Sequence, residues 1–241
     1  MTTLAELTTF RVGGEVSRLV RVTSSEELVA AVRTADEEQR QLLVLGGGSN
    51  LLASDAPFDG TVVAVRPGAE IARIVEEDTA GSVIVRVWAG MVWDDFVAWS
   101  VDEHLSGIEA LSGIPGSAGA SPVQNVGAYG HEVAETIHSV EAYDRLEQRI
   151  VRLLPSELGF AYRSSAIKHS IGQPGLPGRV WGPTGRWVVL SVDFRLERSS
   201  LSAPVMYSEL ARRLGVELGS VPRHPWSARP CLSCVRGREW S

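Results

Sequence analysis

The sequence predicts an α+β fold that is built from two small α/β units. Residues 17–65 follow the order strand, helix, strand, loop and strand, which is typical of a compact α/β unit. A second group of alternating, β-branched segments lies between residues 82 and 196. The length of 241 residues allows one large or two small domains, at about 150 residues per domain.

The first unit begins with a short strand at residues 17–22, which leads directly into a helix. Thr23 is predicted to be the N-cap of this helix, with Glu26 at position N3 of a capping box. Apolar residues then recur at helical spacing, namely Leu28, Val29, Val32 and Ala35. Residues 42–45 and 61–65 are apolar runs of strand length, and we expect both to be buried strands.

The second unit begins near Arg66. Its predicted strands are residues 82–88, 137–144 and 187–196. One face of the last strand carries Val188, Leu190, Val192, Phe194 and Leu196, and the other carries Val189, Ser191, Asp193 and Arg195. A helix is predicted over residues 92–104, with Trp93, Phe96, Val97 and Val101 on one face. A shorter helix is predicted over residues 206–214.

Charge and composition argue against several classes of function. A net charge of −6 gives no indication of binding to nucleic acid or to an anionic membrane. No run of about 18 apolar residues predicts a transmembrane helix, and the first residues do not resemble a signal peptide. The only cysteines, Cys231 and Cys234, have C-x-x-C spacing, but the sequence offers no second ligand pair for zinc and no thioredoxin-like context, and the five histidines show no metal-ligand spacing. We therefore expect a cytoplasmic protein without a metal site.

A glycine-rich loop, Gly46, Gly47, Gly48, Ser49 and Asn50, directly follows the predicted strand at residues 42–45. Glycines allow the backbone to turn sharply and to bring its N–H groups close to a phosphate. The loop is not a P-loop, because no lysine follows it, and Leu51 stands where a dinucleotide-binding G-x-G-x-x-G motif needs its third glycine. A tight turn between two strands remains an equally good interpretation of this loop alone.

A second small-residue segment extends from Gly113 to Gly130 and holds five glycines and two prolines. A flexible linker has a similar glycine content, but it does not mix in Ile, Val and Tyr. A large planar cofactor needs close backbone approach and a few polar anchors, and the amides of Gln124 and Asn125 can supply the anchors. The segment therefore favours a binding loop over a purely structural one.

A third segment, residues 160–168, has the sequence FAYRSSAIK. Arg163 can neutralise a carboxylate through bidentate hydrogen bonds, and Tyr162 can stack on a ligand or donate a hydrogen bond. Taken alone, the segment favours a surface arginine beside a half-buried tyrosine over a binding site.

Together and in this order, these segments resemble those of the type I UDP-N-acetylenolpyruvoylglucosamine reductases. The matching stretches are Thr8–Gly14 (TTFRVGG), Leu45–Leu52 (LGGGSNLL), Ala89–Asp94 (AGMVWD), Gly113–Ser117 (GIPGS), Ser121–Gly130 (SPVQNVGAYG) and Phe160–Lys168. Tyr207 falls where type I members carry a tyrosine on a loop that covers the substrate. The resemblance covers roughly residues 5–218.

The resemblance implies a vanillyl-alcohol-oxidase-like FAD-binding fold. Two α/β subdomains, residues 1–66 and 67–200, would grip the cofactor, and residues 201–241 would begin a substrate-binding domain that is largely missing. It also implies that NADPH reduces FAD, and that the flavin then reduces UDP-N-acetylglucosamine enolpyruvate to UDP-N-acetylmuramate. The expected partners are the UDP-sugar substrate and NADPH, with no nucleic acid or membrane, and the expected state is a monomer.

The same resemblance implies roles for individual residues. Arg163 would be catalytic, because it would stabilise the charge that builds on the substrate carboxylate during hydride transfer. Tyr162, Lys168 and Tyr207 would bind the substrate. The cofactor would be bound by Gly46, Gly47, Gly48, Ser49, Asn50, Gly113, Ile114, Pro115, Gly116, Ser117, Gln124, Asn125, Gly127, Ala128, Tyr129 and Gly130.

The likeness to the family stops near Val221, where the composition changes. The family's Gly-Ser-Phe-Phe-x-Asn-Pro motif, with its proton-donating serine, and its C-terminal glutamate are absent from the 241 residues. We hypothesise that the reading frame of the gene shifts near this point. Two alternatives to an active reductase follow: an FAD-binding remnant without turnover, and a related FAD oxidoreductase that acts on another substrate.

Overall fold

The computed structural model describes residues 2–69, 72–176, 178, 180–199, 201–202 and 204–221. Cys231, Cys234 and the tail beyond Val221, on which the frameshift hypothesis rests, lie outside the described residues. The described chain folds into two main β-sheets with helices packed against them, and this confirms the predicted α+β class.

The first sheet contains three parallel strands. Strand β1 (Val16–Val22) leads into helix α1 (Ser25–Glu37), which is followed by β2 (Gln41–Leu45) and β3 (Phe58–Val65). The strand order is β1-β3-β2, so β3 lies in the centre. The predicted order of strand, helix, strand, loop and strand is confirmed.

The N-terminus of α1 corrects the predicted capping box by one residue. Ser24 is the N-cap, and its Oγ accepts a hydrogen bond from the N–H of Glu27 at 3.2 Å. The carboxylate of Glu27 in turn accepts from the N–H of Thr23 at 2.7 Å. Thr23 precedes the cap, because the hydroxyl of Ser24 and not that of Thr23 accepts the N–H of the first helical turn, and it is Glu27 and not Glu26 whose side chain reaches back.

The second sheet has five strands in the order β10-β9-β11-β5-β4, all paired antiparallel, and a short sixth strand, β6, pairs with the end of β11. The strands are β4 (Ala72–Glu77), β5 (Ser82–Trp88), β6 (Leu105–Ser106), β9 (Ile137–Asp144), β10 (Arg149–Leu153) and β11 (Trp187–Arg198). A small hairpin is formed by β7 (Gly127–Ala128) and β8 (His131–Glu132). The helices are α2 (Trp93–Asp102), α3 (Pro155–Leu158), α4 (Ala166–His169) and α5 (Ser208–Leu214).

Strands β4 and β10 were not predicted from the sequence. Both lie at edges of the second sheet, and most of their residues are exposed. An edge strand with little buried surface does not need an apolar face, so its sequence carries no alternation to detect.

One hydrophobic core extends from the first sheet to the second. It joins α1 and the first sheet, through Leu28 and Val63, to the second sheet and α2. Its aromatic centre is formed by Trp93, Phe96 and Phe194, and the Phe96 and Phe194 ring centroids lie 4.9 Å apart. Since the core is continuous across the two sheets, the boundary between residues 66 and 67 stays a prediction.

Strand β11 is buried on both faces as far as Asp193, because it lies in the centre of its sheet. The carboxylate of Asp193 is only 3% exposed. It accepts hydrogen bonds from Arg86 at 2.8 and 2.9 Å and from Ser139 at 3.0 Å, and it pairs with Arg152 at 3.2 Å. These partners compensate for the removal of its charge from water.

Among the described residues, no helix is long and apolar enough to span a membrane. The same part of the chain holds no group of three or more His, Cys, Asp or Glu side chains that could bind a metal ion.

Candidate functional site

The two glycine-rich segments predicted from the sequence form the walls of one cleft. Its volume is about 300 Å³. One wall is the loop that follows β2, and the other is the segment before and after Ser117. The predicted cofactor residues that line it are Gly46, Gly47, Gly48, Ser49, Asn50, Ile114, Pro115, Gly116, Ser117 and Gln124.

The backbone N–H groups of Gly47, Gly48, Ser49 and Asn50 donate to no other residue in the described part of the chain. Four successive unpaired donors on a sharp turn form a concave array of partial positive charge, which suits the oxygens of a phosphate. Gly48 has φ +68°, and a Cβ on it would collide with the carbonyl oxygen of Leu7. The turn therefore needs glycine at this position.

The two walls approach each other so closely that side chains at the contact must be absent or small. A Cβ on Gly47 would lie 3.2 Å from Cα of Gly116, and a Cβ on Gly46 would collide with Oγ of Ser117. Ser49 donates from Oγ to the carbonyl of Pro115 at 3.2 Å. The glycines thus serve the fit between the walls as well as the turn, and this explains why both segments are rich in small residues.

Arg66 supports the glycine loop from the end of β3. Its Nη1 donates to the carbonyl of Gly46 at 2.9 Å. Burial, reinforced by the nearby charge of Arg21, lowers the pKa of the Arg66 guanidinium. Arg66 forms no salt bridge with a carboxylate of the described chain, so it adds positive potential beneath the loop.

A smaller apolar pocket of about 150 Å³ adjoins the cleft and shares part of its wall. Residues that line both are Val44, Gly46, Ser117, Ala120, Val123, Ile171 and Pro183. A cleft that offers N–H donors on one wall and continues into an apolar pocket can hold a ligand with a charged part and a flat, apolar part.

The side-chain amide of Asn125, predicted to contact the cofactor, is hydrogen-bonded within the protein instead. Its side chain is 1% exposed and is used entirely within the protein. Nδ2 donates to Glu132 at 2.6 Å and to the carbonyl of Ala161 at 3.1 Å, while Oδ1 accepts from the N–H of Ala134 at 3.1 Å. The Asn125 amide therefore ties the small-residue segment to the Tyr162–Arg163 segment and is not free to meet a ring edge, whereas Gln124 lines the cleft.

Except for Gly113 and Lys168, the remaining predicted residues form a second group around Arg163 and Tyr129. Arg163 donates from Nη2 to the carbonyl of Gly127 at 2.7 Å, and its guanidinium lies 5.7 Å from the centre of the Tyr162 ring. The rings of Tyr129 and Tyr207 meet edge to face with centroids 5.5 Å apart. The group also includes Ala128 in β7 and Gly130, which has φ +85° at the turn of the hairpin.

Two residues of this second group hold the left-handed backbone conformation that non-glycine residues seldom adopt. Tyr129 has φ +54° and Arg163 has φ +53°. Such conformations cost about 1 kcal/mol or more and persist where the surroundings enforce them, often at functional sites. Tyr162 is 82% exposed, so its ring is available to a ligand.

Gly113 does not line the cleft, and Lys168 contacts both the cleft and the second group. The N–H of Gly113 donates to Asp94 at 2.8 Å, so this glycine anchors the segment and does not line the cleft. Lys168 was predicted to bind the substrate, and the structure places it in the lining of the glycine cleft. Its Nζ also donates to the carbonyl of Arg163 at 3.0 Å, so it reaches both groups.

Pro183 lines the cleft, and neither it nor Thr184 was predicted from the sequence to contribute to the site. Pro183 bridges to Leu42, and Thr184 donates its N–H to the carbonyl of Leu42 at 3.1 Å and accepts from the N–H of Val44 at 2.7 Å. These residues thus extend the first sheet beside β2. Nothing in their sequence indicates this position, because the partners are about 140 residues away.

Comparison with known proteins agrees with this geometry. The family described as "FAD binding domain" matches residues 16–153. The UDP-N-acetylenolpyruvoylglucosamine reductase of Salinispora arenicola is 50% identical over 216 residues, which are 90% of this chain and 55% of that relative. The reductase of Thermobifida fusca is 49% identical over 216 residues, 90% of this chain and 56% of its own length. The chain thus spans little more than half the length of these relatives.

Two solved structures share the fold. The UDP-N-acetylenolpyruvylglucosamine reductase of Thermus caldophilus superposes with a TM-score of 0.60 at 28% identity, over 89% of this chain and 65% of that one. The 6-hydroxy-D-nicotine oxidase of Arthrobacter nicotinovorans gives a TM-score of 0.57 at 21% identity, over 83% of this chain and 40% of that one, and shows the fold alone. The resemblance and the fold class predicted from the sequence are confirmed.

Proposed function

The chain belongs to the FAD-binding domain family, and on this premise we propose that it binds FAD in the glycine cleft and takes part in the NADPH-dependent reduction of UDP-N-acetylglucosamine enolpyruvate. The product would be UDP-N-acetylmuramate. Bound FAD would supply the hydride chemistry. The residues of the chain would bind and orient the cofactor and the substrate, and would polarise the substrate.

The observation that carries the cofactor proposal is the row of unpaired N–H groups from Gly47 to Asn50. A diphosphate supplies the acceptors that these donors lack, and the adjoining apolar pocket can take a flat ring. Arg66 beneath the loop and Lys168 in the cleft wall provide positive charge without a competing carboxylate among the residues that line the cleft. An acidic protein can bind an anionic cofactor in this way because the attraction is local.

The substrate part of the proposal rests on the group around Arg163. Its guanidinium is exposed and donates a hydrogen bond of 2.7 Å to the carbonyl of Gly127, which leaves further donors for a carboxylate. Tyr162 and Tyr207 are exposed, and the ring of Tyr207 contacts that of Tyr129 at the hairpin. We infer that Arg163 binds the enolpyruvyl carboxylate and stabilises the negative charge that grows there during reduction.

A second candidate is an FAD-binding protein without reductase turnover. It is favoured by the family match, since residues 16–153, which match an FAD-binding domain, include both glycine-rich segments of the cleft.

Reconstitution with FAD separates these proposals. The purified chain is incubated with FAD, desalted and examined for flavin absorption, and oxidation of NADPH is then followed with and without UDP-N-acetylglucosamine enolpyruvate. Retained flavin with substrate-dependent oxidation supports the reductase. Retained flavin without it supports the second candidate, and a colourless protein that does not bind FAD contradicts both.

A further inference from the structure

Lys168 is the only lysine in the sequence, although the chain has 23 basic residues. All the others are arginines. The two side chains are not equivalent, because lysine carries a compact, rotatable point charge and arginine carries a planar fork.

The surroundings of Lys168 are those of the glycine cleft. It is the only residue with a charged side chain among the described residues that line the cleft. No carboxylate of the described chain forms a salt bridge with it, and its Nζ donates to the carbonyl of Arg163 at 3.0 Å. An ammonium has three N–H donors, so further donors can serve a ligand in the cleft.

We propose that Lys168 binds the diphosphate of the cofactor in the glycine cleft, opposite the N–H groups of Gly47–Asn50. This inference rests on the proposed function and changes the role of Lys168 from substrate binding to cofactor binding. Backbone N–H groups supply partial charges on one side of a diphosphate, and the ammonium supplies a full charge on the other. Its bond to Arg163 also joins the cofactor cleft to the proposed substrate residue through one side chain.

A purely structural role for Lys168 would be to hold the Arg163 turn. The two roles make different predictions for ligands with and without phosphate. Loss of a structural contact would weaken the binding of FAD and riboflavin alike, whereas loss of a diphosphate ligand would weaken the binding of FAD alone.

The first test measures dissociation constants for FAD and riboflavin by flavin fluorescence. We expect Lys168→Met to weaken FAD binding by about tenfold, as for one charge-assisted hydrogen bond, and to leave riboflavin binding within about twofold. Lys168→Arg should restore part of the loss. The control is Arg149→Gln on edge strand β10, which removes the same charge at a residue that does not line the cleft. Equal FAD affinity in Lys168→Met and wild type overturns the proposal, as does an equal loss for riboflavin.

The second test uses the unaltered protein and is independent of how the variants fold. An amine-directed acetylating reagent can modify only Lys168 and the N-terminal amine, and peptide mass spectrometry separates the two. We expect FAD and inorganic pyrophosphate to slow acetylation of Lys168 several-fold, and riboflavin to leave it unchanged. Unslowed acetylation with FAD bound overturns the inference but leaves the proposed function in place, whereas failure of the wild type to bind FAD overturns both.

Discussion

The side-chain amides of Asn50 and Gln124 meet across the glycine cleft. Nδ2 of Asn50 donates to Oε1 of Gln124 at 3.0 Å, although 74 residues separate the two in the chain. Each residue was predicted separately to contact the cofactor, and the structure adds that they contact each other. The bond joins the loop after β2 to the small-residue segment, and so it links the two walls of the cleft.

This bond predicts energetic coupling between the two residues. In a double-mutant cycle with Asn50→Ala and Gln124→Ala, we expect a coupling energy of about 0.5–1 kcal/mol in the free energy of unfolding, measured in urea without FAD. The cycle of Asn50→Ala with Gln41→Ala serves as control, because Gln41 is an exposed residue at the start of β2. Additive effects in both cycles would show that the bond does not form in solution.

Replacing Arg163 by glycine and by alanine distinguishes the effect of its backbone conformation from the effect of its side chain. Because Arg163 has φ +53°, Arg163→Gly should relieve a cost of about 1 kcal/mol that Arg163→Ala retains. We expect both variants to lose substrate-induced changes in the flavin spectrum, while Arg163→Gly unfolds at a higher temperature than Arg163→Ala. Thermal unfolding and titration with UDP-N-acetylglucosamine enolpyruvate measure the two effects. A glycine variant that still responds to the substrate would contradict the role proposed for the guanidinium.

The buried cluster around Asp193 predicts a loss of stability in acid. Burial raises the pKa of Asp193, but hydrogen bonds from Arg86 and Ser139 and the charge of Arg152 outweigh this and lower it below its usual value. A carboxyl with a lowered folded pKa stabilises the protein above its unfolded pKa, about 4, and this stabilisation is lost as the pH falls through the folded value.

We therefore expect Asp193→Asn to lower the free energy of unfolding by about 2–3 kcal/mol at pH 7, because Arg86 loses its partner. The deficit should shrink below pH 4, where the wild type loses the same stabilisation. Urea unfolding at pH 7 and pH 3 measures the difference. The exposed Glu76→Gln on β4 is the control and should change stability little at either pH. A deficit that stays constant with pH would contradict the assigned ionisation of Asp193.

The start of α1 offers a direct test of the corrected capping residue. Ser24→Ala removes the side-chain acceptor of the Glu27 N–H and should cost about 1 kcal/mol. Thr23→Ala removes a hydroxyl that only contacts the exposed Glu27 carboxylate at 3.2 Å, and we expect a smaller loss. Chemical unfolding of the two variants ranks them. The opposite order would restore Thr23 as the N-cap.

Several of the elements predicted correctly have a buried face. Strands β5 and β9 begin and end at the predicted residues, and the predicted apolar face of α2 is buried. Burial selects apolar side chains at a fixed period, so local sequence is enough to find such elements. Edge strands β4 and β10 lack this signal and were missed.

By itself, the sequence determined the α/β units, the two glycine-rich segments and the resemblance that connects them with FAD. Only the tertiary structure decided that the side-chain amide of Asn125 is hydrogen-bonded to Glu132, Ala161 and Ala134. It also decided that Lys168 lines the glycine cleft. The reason is physical: a glycine-rich turn is a local requirement of the backbone, whereas the partner of a polar side chain depends on which distant segments the fold brings together.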